Sequence, residues 1–506
     1  MVRRRLTPAD LLQLRTVSDP QISPDGTRIA YVQTTMDGHA NQYKCRIWMV
    51  STAVGSTPRP FTFGPELDYA PRWSPDGEWL AFISARQGRS ALWIVPSQGG
   101  YAHQLSCLQD IGGAPVWSPD SSSIACVVHV GPKGPEKDNW PHRTSEVRFS
   151  DDVLVIDRLW YKLDSAGFMV RRHWHLFTIS VTGADRGKFT QLTFGDTDYS
   201  EPAWSPDGGS IAIADNRTPD GIGMTHFNDI WVVPSTGGVP RRVTSSLGPA
   251  DHPAWSPDGR LIAYIGHDRR HGGYTFPGIW LVSASGGKPR ELTANFHYAI
   301  GNHAIRDVRG YKEPTIVPVW AQDGRSVYTC ASVSGAVNLW RFSVLDGKAV
   351  QLTHGNRVIY NLSFNRDVRQ VAMAVTTPTL PGDIWAGDVN GIRIQARRIT
   401  EVNRDWLTSV VIAEPVRFTF RAANGPEAEG WILAPAHRSR FDQKPAVLQI
   451  HGGPTVMYGH AFFFEFQLLA GCGLPVIYSN PRGSFGYDQD FAAAIRGDWG
   501  TMIIWT

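Results

Sequence analysis

The chain has 506 residues, and because a single hydrophobic core stops growing at roughly 250–300 residues, two structural units are expected. Hydrophobic residues make up 42% and charged residues 19% of the composition, which excludes an intrinsically disordered protein. The formal net charge is only +3 and the one basic run is Arg3–Arg5, so the clustered Lys and Arg of a nucleic-acid-binding protein are absent.

The cysteines and the apolar segments indicate where in the cell the protein is expected. The five cysteines are widely spaced and form no CxxC pair, so they are interpreted as free thiols of a reducing compartment and not as a disulfide or zinc framework. No segment approaches the ~20 apolar residues of a membrane span, and the first residues lack the apolar region of a signal peptide. The sequence predicts a cytoplasmic, soluble protein with no membrane partner, no metal and no cofactor.

The first predicted element is an N-terminal helix over residues 1–20. Thr7 is suited to the N-cap, Pro8 to the first helical position, and Asp10 to the positive end of the helix dipole.

A repeat follows and runs through most of the chain. Its first signature is a Ser-Pro-Asp-Gly turn preceded by Trp and followed by an apolar strand; in this turn Pro presets the backbone at the second position and Gly closes it. Seven copies, some degenerate, begin at Ile22, Trp73, Trp117, Trp204, Trp255, Trp320 and Phe364.

Each copy is followed by a second signature, an aliphatic–aromatic pair such as Ile47-Trp48 or Ile230-Trp231. Seven units of short strands with a Trp anchor predict an all-β seven-bladed propeller over residues 21–405. The long step from Trp117 to Trp204 contains only one second signature, which predicts an insertion over about residues 131–173.

After Trp406 the repeat stops and the pattern changes. Residues 416–435 read as a β-hairpin, and AVLQI from Ala446 and LPVIYS from Leu474 are continuous apolar strands typical of a parallel sheet. The intervening FFFEFQLLA has the length of a helix. The segment therefore reads strand, helix, strand, as in an α/β unit.

The tripeptide His451-Gly452-Gly453 comes directly after a predicted buried strand. Two glycines at this position let backbone N–H groups approach a reacting carbonyl, as in one half of the oxyanion hole of α/β-hydrolases. A plain Gly-rich turn would explain the tripeptide alone equally well. The motifs NPRGSFGY from Asn480 and GDWG from Gly497 follow it in order.

HGGP, NPRGSFGY and GDWG after SPDG repeats together resemble the prolyl oligopeptidase (S9) family of serine peptidases, in its acylaminoacyl-peptidase and dipeptidyl-peptidase-like branch. The resemblance covers nearly the whole chain. It implies that residues 410–506 are the N-terminal part of an α/β-hydrolase domain, so that an all-β seven-bladed propeller is followed by an incomplete α/β-hydrolase domain. It also implies hydrolysis of short peptides through a Ser-His-Asp acyl-enzyme. By position, Gly453 is implied to donate its N–H to the oxyanion. His451, Arg482, Tyr487 and Trp499 match family positions as well and are interpreted as scaffold of the site.

The chain departs from the family pattern in one major respect. The family nucleophile lies on a G-x-S-x-G turn beyond GDWG, and the nearest match in this sequence is Gly208-Gly209-Ser210-Ile211-Ala212, within a repeat turn. The expectation is therefore a chain truncated before its catalytic serine and inactive alone, with residues 410–506 loosely ordered or prone to aggregation in isolation. One lost base near the codon for Met502 is a hypothesis that explains the apolar ending MIIWT.

Two interpretations stay open. The chain is either such a peptidase, with a short peptide as substrate, or a non-catalytic TolB-like propeller that binds a partner and carries a vestigial hydrolase segment. The peptidase interpretation also leaves open a homo-oligomer, or a separate chain that carries the missing half of the hydrolase.

Overall fold

The computed structural model describes residues 3–64, 67–86, 88–131, 161–163, 167–168, 172–217, 227–245, 247–421, 426–435 and 445–499. The chain divides into two compact units. One comprises Met1–Pro71, His267–Trp280 and Glu291–Thr506, and the other comprises Arg72–Gly266 and Leu281–Arg290. None of the helices in the described ranges has the length and apolar character that crossing a lipid bilayer requires.

The N-terminal segment contains a shorter helix than the sequence predicts. It is a 3₁₀ helix over Pro8–Gln13, with Thr7 in extended backbone before it. The chain is already a strand at Thr16, because Thr16–Ile22 pairs with Arg28–Asp37. Strand pairing therefore limits the helix to one short segment of the predicted range 1–20.

The repeats form antiparallel sheets, and five of these in the described residues have four strands each. Their strands, sheet by sheet, are β1 Thr16–Ile22, β2 Arg28–Asp37, β3 Gln42–Ser51 and β4 Arg59–Pro60; β5 Asp68–Trp73, β6 Trp79–Ser84, β7 Ala91–Pro96 and β8 His103–Gln109; β9 Ile111–Trp117, β10 Ser123–Val130, β13 His173–Ser180 and β14 Phe189–Gln191; β15 Tyr199–Trp204, β16 Ser210–Asp215, β17 Asp229–Pro234 and β18 Arg241–Arg242; β19 Ala250–Trp255, β20 Leu261–Gly266, β21 Gly278–Ser283 and β22 Arg290–Glu291.

The last two repeats share one eight-stranded sheet, joined by a single parallel pair, Val337 with Val358. Its strands are β23 Val319–Trp320, β24 Ser326–Val333, β25 Ala336–Ser343, β26 Ala349–Gln351, β27 Val358–Phe364, β28 Gln370–Thr377, β29 Leu380–Asp388 and β30 Arg397–Arg398. Short 3₁₀ helices lie at Gly183–Asp185 and Gly272–Tyr274, and helix α1 spans Arg404–Ser409.

Each Ser-Pro-Asp-Gly turn has the predicted hydrogen bond from its fourth residue to the carbonyl of its first. In the first copy the Gly26 N–H donates to the Ser23 carbonyl at 2.8 Å, and the Ser23 hydroxyl donates to Asp25. The equivalent backbone donors in the other copies are Gly77, Ser121, Gly208, Gly259, Gly324 and Val368. The turn chemistry read from the sequence is confirmed.

The predicted insertion leaves and re-enters within one sheet. Strands β10 and β13 pair antiparallel, with Val130 opposite His173, so the chain between them departs from one strand and returns to its neighbour. Two short paired strands lie within it, β11 Lys162–Leu163 and β12 Gly167–Phe168. The remainder of the predicted insertion, over most of residues 131–173, lies outside the described residues.

The C-terminal part is a four-stranded sheet in the order β31-β32-β34-β33. Its elements are β31 Pro415–Arg421, β32 Glu427–Leu433, β33 Val447–Gln449, helix α2 Phe464–Gly471, β34 Val476–Ser479 and helix α3 Gln489–Ala493. Strands β31 and β32 form the predicted hairpin, and β33 and β34 pair in parallel with α2 between them in sequence. The predicted strand–helix–strand unit is confirmed, whereas residues 500–506 lie outside the described residues.

Strands of the repeats and of the C-terminal sheet share one hydrophobic core. Its buried members include Val17 and Tyr31 from the first repeat, Val375 from the last, and Trp431 and Tyr478 from the C-terminal sheet. The backbone around His303 also pairs with Met457: the Met457 N–H donates to the His303 carbonyl and the Ile305 N–H donates to the Met457 carbonyl, both at 2.9 Å. This common core fixes the loops that follow β33 and β34.

Candidate active site

The His-Gly-Gly-Pro loop leaves the end of β33 and places Gly453 in backbone that only glycine adopts readily. Its φ is +135°, and a Cβ built there would lie 2.8 Å from Val456 Cγ2. Gly452 and Gly453 are exposed, and among the described residues the Gly453 N–H has no hydrogen-bond partner. This backbone donor is therefore free to bind an oxygen atom of a ligand.

His451 connects this loop to the Asn-Pro-Arg-Gly loop that follows β34. Its Nδ1 lies 3.0 Å from the Gly452 carbonyl oxygen and its Nε2 lies 3.0 Å from Ser484 Oγ. The ring packs edge-on against Tyr458, with centroids 5.1 Å apart. Burial lowers the pKa of His451, which favours the neutral ring at neutral pH.

Asn480 is fully buried at the start of the Asn-Pro-Arg-Gly loop and fixes that loop by hydrogen bonds. Its Oδ1 accepts the Tyr458 N–H at 2.8 Å, and its Nδ2 donates to the Tyr458 carbonyl at 2.9 Å and to Tyr487 Oη at 3.0 Å. Tyr487 in turn donates to the Glu429 carboxylate at 2.9 Å, and Glu429 pairs with Arg417. Burial, with the nearby Glu429 charge, raises the pKa of Tyr487, so its hydroxyl stays protonated as a donor.

The remaining predicted scaffold residues are placed differently. Arg482 is buried, whereas Trp499 is 55% exposed and donates its indole N–H to Tyr274 Oη at 2.7 Å. Gln489 at the start of α3 reaches the same segment, since its Nε2 donates to the Tyr274 carbonyl at 2.8 Å. The structure thus brings His451 and Tyr487 to the two loops, and it attaches Trp499 to the segment around Tyr274.

The chance match to a nucleophile motif at Gly208 belongs to a repeat turn. The Gly208 N–H donates to the Ser205 carbonyl, and the Ser210 N–H donates to Ser205 Oγ at 2.9 Å as Ser210 begins β16. Ser210 is therefore a turn residue of its repeat.

The sequence did not single out Ser484, Asn480 or Glu429 as site residues. In the structure all three form hydrogen bonds around the His-Gly-Gly-Pro and Asn-Pro-Arg-Gly loops. Ser484 and Asn480 lie inside the NPRGSFGY motif, but a serine and an asparagine in a loop carry no signal of their own partners. Glu429 had a weak signal, because a carboxylate just before the apolar residues Trp431 and Ile432 needs a polar partner where it is buried.

The chain is similar to known proteins over nearly its whole length. Residues 13–133 match the family model described as the TolB beta propeller domain. A Bacillus subtilis protein, "Uncharacterized peptidase YuxL", is 31% identical over 503 residues, which are 99% of this chain and 74% of the relative. The chain belongs to the S9 family of peptidases.

Other S9 relatives match over the same extent. "Dipeptidyl-peptidase 5" of Porphyromonas gingivalis is 25% identical over 98% of this chain and 70% of its own length. Among solved structures, the acylaminoacyl peptidase of Pyrococcus horikoshii superposes with a TM-score of 0.78 at 20% identity, covering 99% of this chain and 70% of that chain. A puromycin-hydrolyzing peptidase of Mycobacterium tuberculosis gives 0.67 at 18% identity, covering 99% and 72%. At these low identities the structural similarity shows the fold alone, which is a propeller-type domain joined to a peptidase domain.

Proposed function

We propose that this chain supplies the substrate-selecting propeller and the oxyanion half of an S9 serine peptidase that hydrolyses short peptides. In the complete enzyme a serine hydroxyl, deprotonated by a histidine, attacks the peptide carbonyl carbon, and the carbonyl oxygen becomes an oxyanion that accepts the Gly453 N–H. The observation that carries this proposal is the N–H of Gly453, which has no hydrogen-bond partner in the described part of the chain and lies on an exposed loop at the end of a strand.

The chemistry of these 506 residues taken alone is incomplete. No G-x-S-x-G motif follows GDWG in the sequence, and the second oxyanion donor, the N–H after the nucleophile, is missing with it. We therefore expect the 506 residues by themselves to show no turnover, and we expect the nucleophile, the aspartate and the histidine to come from additional residues, in the same chain or in a second one.

The propeller is proposed to have seven blades and to restrict access to short or unfolded peptides. Support comes from the seven hydrogen-bonded repeat turns and from the acylaminoacyl and dipeptidyl peptidases among the similar proteins. Cytoplasmic location stays a prediction from the sequence.

A second candidate is a TolB-like binding protein without catalysis. It is favoured by the match of residues 13–133 to the TolB propeller family. Against it stands the free Gly453 N–H beside a hydrogen-bonded second loop, an arrangement that a propeller acting only in binding does not need.

The test is to sequence the gene through the codons for residues 497–506 and several hundred bases beyond, and then to express the longest open frame. Its product is assayed with acetyl-aminoacyl and free aminoacyl p-nitroanilides and with a fluorophosphonate, which labels activated serines. We expect a G-x-S-x-G serine that is labelled and hydrolysis of at least one substrate class, while the 506-residue chain gives neither.

Two results would contradict the peptidase proposal. One is a gene, and neighbouring frames, that encode no such serine; the other is an encoded serine that reacts with neither probe nor substrate. Either would direct the search to binding partners of the propeller.

A further inference from the structure

Arginine side chains stacked on aromatic rings recur in the repeats, and two of them are neutralised by a carboxylate. Arg217 Cζ lies 4.0 Å from the centre of the Trp231 ring, and Arg217 Nε donates to Asp215 at 2.5 Å. Arg306 stacks on a tyrosine ring at 3.8 Å and pairs with Glu313. Each of these guanidinium groups therefore has both an aromatic ring and a carboxylate beside it.

Arg357, at the junction of the last two repeats, has the ring without the carboxylate. It directly precedes β27, and its Cζ lies 5.4 Å from the centre of the Trp385 ring. Within the described residues its guanidinium donates no hydrogen bond and pairs with no carboxylate. Asp383, two residues before Trp385, is already bound by Arg398 at 2.6 Å.

The guanidinium of Arg357 is half-buried. Burial lowers the pKa of Arg357, because no neighbouring anion compensates for the lost hydration. Taking a charge out of water without a partner costs free energy, and Arg217 avoids that cost through Asp215. Arg357 therefore lacks the anion that a half-buried guanidinium needs.

The loop before Arg357 leaves room beside the guanidinium. Gly355 is exposed with a φ of +104°, and a Cβ built there would lie 3.3 Å from Arg357 Nη2, so a larger residue would crowd it. Asn338, buried in β25, donates to the Gly355 carbonyl at 3.3 Å and fixes the loop. The N–H groups of Gly355 and Asn356 have no hydrogen-bond partner among the described residues, which gives the loop two further donors.

We propose that Arg357 and the loop before it form a binding site for a carboxylate of a peptide. A guanidinium presents its N–H groups in one plane, which matches the two oxygens of a carboxylate. The bound carboxylate would complete the arrangement that Arg217 makes with Asp215. It is either the C-terminal group of a peptide or an acidic side chain, since both present the same two oxygens. The site does not depend on the proposed peptidase activity.

Amide signals of glycines in the 506-residue chain report on this site without any activity. Labelling with carbonyl-¹³C histidine and ¹⁵N glycine selects the three His–Gly pairs of the sequence, whose glycines are Gly272, Gly355 and Gly452. The Gly355 signal is assigned by its loss in His354→Ala. Gly452 reports on the proposed oxyanion loop in the same nuclear magnetic resonance spectrum.

The probes are acetyl-Ala-Ala, acetyl-Ala-Ala-amide, acetyl-Glu-amide and inorganic phosphate at matched ionic strength. We expect acetyl-Ala-Ala, acetyl-Glu-amide or both to shift the Gly355 signal saturably, and the pattern shows whether a terminal or a side-chain carboxylate binds. Acetyl-Ala-Ala-amide, which has no carboxylate, should leave the signal in place. The proposal is overturned if neither carboxylate probe moves the Gly355 signal, if acetyl-Ala-Ala-amide moves it equally, or if phosphate binds more tightly than both.

Variants test whether the guanidinium is responsible. Arg357→Gln should weaken binding of the carboxylate probe at least about tenfold, because charge-assisted hydrogen bonds are lost. Arg357→Lys keeps the charge without the planar donors and should bind with intermediate affinity. The matched control is Arg393→Gln, since Arg393 is exposed and, in the described part of the chain, has neither a carboxylate partner nor an aromatic ring beside it. Equal affinity in wild type and Arg357→Gln overturns the proposal, as does an equal loss in Arg393→Gln.

The Gly452 signal separates this site from the proposed active site. A carboxylate probe that shifts Gly452 but not Gly355 binds at the oxyanion loop, and the Arg357 site then fails while the peptidase proposal stands. A probe that shifts Gly355 in the wild type but not in Arg357→Gln supports the Arg357 site, whether or not the completed peptidase hydrolyses any peptide.

Discussion

At the scale of single residues, His460 makes stability depend on pH. It is 6% exposed, and its ring packs edge-on against Trp431 with centroids 5.7 Å apart. Burial, helped by the positive charge of Arg417, lowers the pKa of His460 to about 4. The unfolded chain, with an ordinary pKa near ~6.5, then binds a proton that the folded chain does not, so the free energy of unfolding falls as pH drops from ~6.5 to ~4.

The expected loss from this one group is about 3 kcal/mol at most, since each unit of pKa difference corresponds to about 1.4 kcal/mol. The measurement is urea unfolding of the wild type and of His460→Gln between pH 7 and pH 4. The variant should be less stable at neutral pH, and its stability should fall less steeply toward acid. Parallel pH profiles for the two proteins would show that His460 is not the group responsible.

At the scale of elements, the repeats are tied to one another by their tryptophans. The indole N–H of Trp204 donates at 3.0 Å to the carbonyl of Val116, the residue before the Trp of the preceding repeat. The same bond, also 3.0 Å, joins Trp117 to Arg72 and Trp255 to Ala203. Each of these tryptophans therefore makes a hydrogen bond to the preceding repeat in addition to its apolar packing.

Trp204→Phe should consequently destabilise the protein by about 1 kcal/mol beyond the cost of the smaller ring, because the Val116 carbonyl loses its partner. The matched control is Trp340→Phe, since the Nε1 atom of Trp340 is buried without a hydrogen-bond partner in the described part of the chain. Thermal unfolding should show the larger decrease for Trp204→Phe. Equal decreases would mean that the indole bond contributes nothing.

The N-terminal 3₁₀ helix, Pro8–Gln13, depends on the buried carboxylate of Asp10. Asp10 has no exposed side-chain surface; it accepts from the Thr7 N–H at 2.8 Å and from Trp406 Nε1 at 3.1 Å, and it pairs with Arg4. The bond from Arg4 lowers the pKa of Asp10 most, so its stabilising effect is present at neutral pH and is lost as pH falls through the acid range.

Asp10→Ala is expected to cost roughly 2–4 kcal/mol, because it leaves two donors and a guanidinium without their acceptor. Amide hydrogen exchange is the measurement. Faster exchange should be concentrated in Pro8–Gln13 and Arg404–Ser409, and uniform acceleration across the chain would contradict a local role.

Features formed by residues close in sequence were predicted well, whereas contacts between residues far apart in sequence were not. The repeat turns and the strands beside them were predictable, because Ser23, Asp25 and Gly26 form their bonds within four residues. The N-terminal helix was overextended, because pairing of Thr16–Ile22 with a later strand competes with it. The role of Gly453 as an oxyanion donor comes from the family resemblance of its loop and stays a prediction. The contact of His451 with Ser484 spans 33 residues and needs the parallel pairing of β33 and β34 to form.

At the scale of the whole molecule, the C-terminal sheet combines a shared core with an edge strand, β33, that pairs on one side only within the described residues. Trp431 and Tyr478 are buried together with Tyr31 and Val375 of the repeats in one core. In the edge strand β33, however, Leu448 is 60% exposed, and Ile450, directly after that strand, is 67% exposed. An edge strand with exposed apolar side chains favours pairing with other chains.

Replacing both side chains, in Leu448→Lys/Ile450→Lys, should therefore reduce self-association of the 506-residue chain, because charged side chains oppose edge-to-edge pairing. The control is Val239→Lys/Leu345→Lys, which adds the same charge at side chains that are 88% and 90% exposed but lie outside any strand. Sedimentation velocity over a range of concentrations should show less aggregate for the first pair than for the second. If both pairs reduce aggregation equally, net charge explains the effect; if neither does, the β33 edge is not where chains associate.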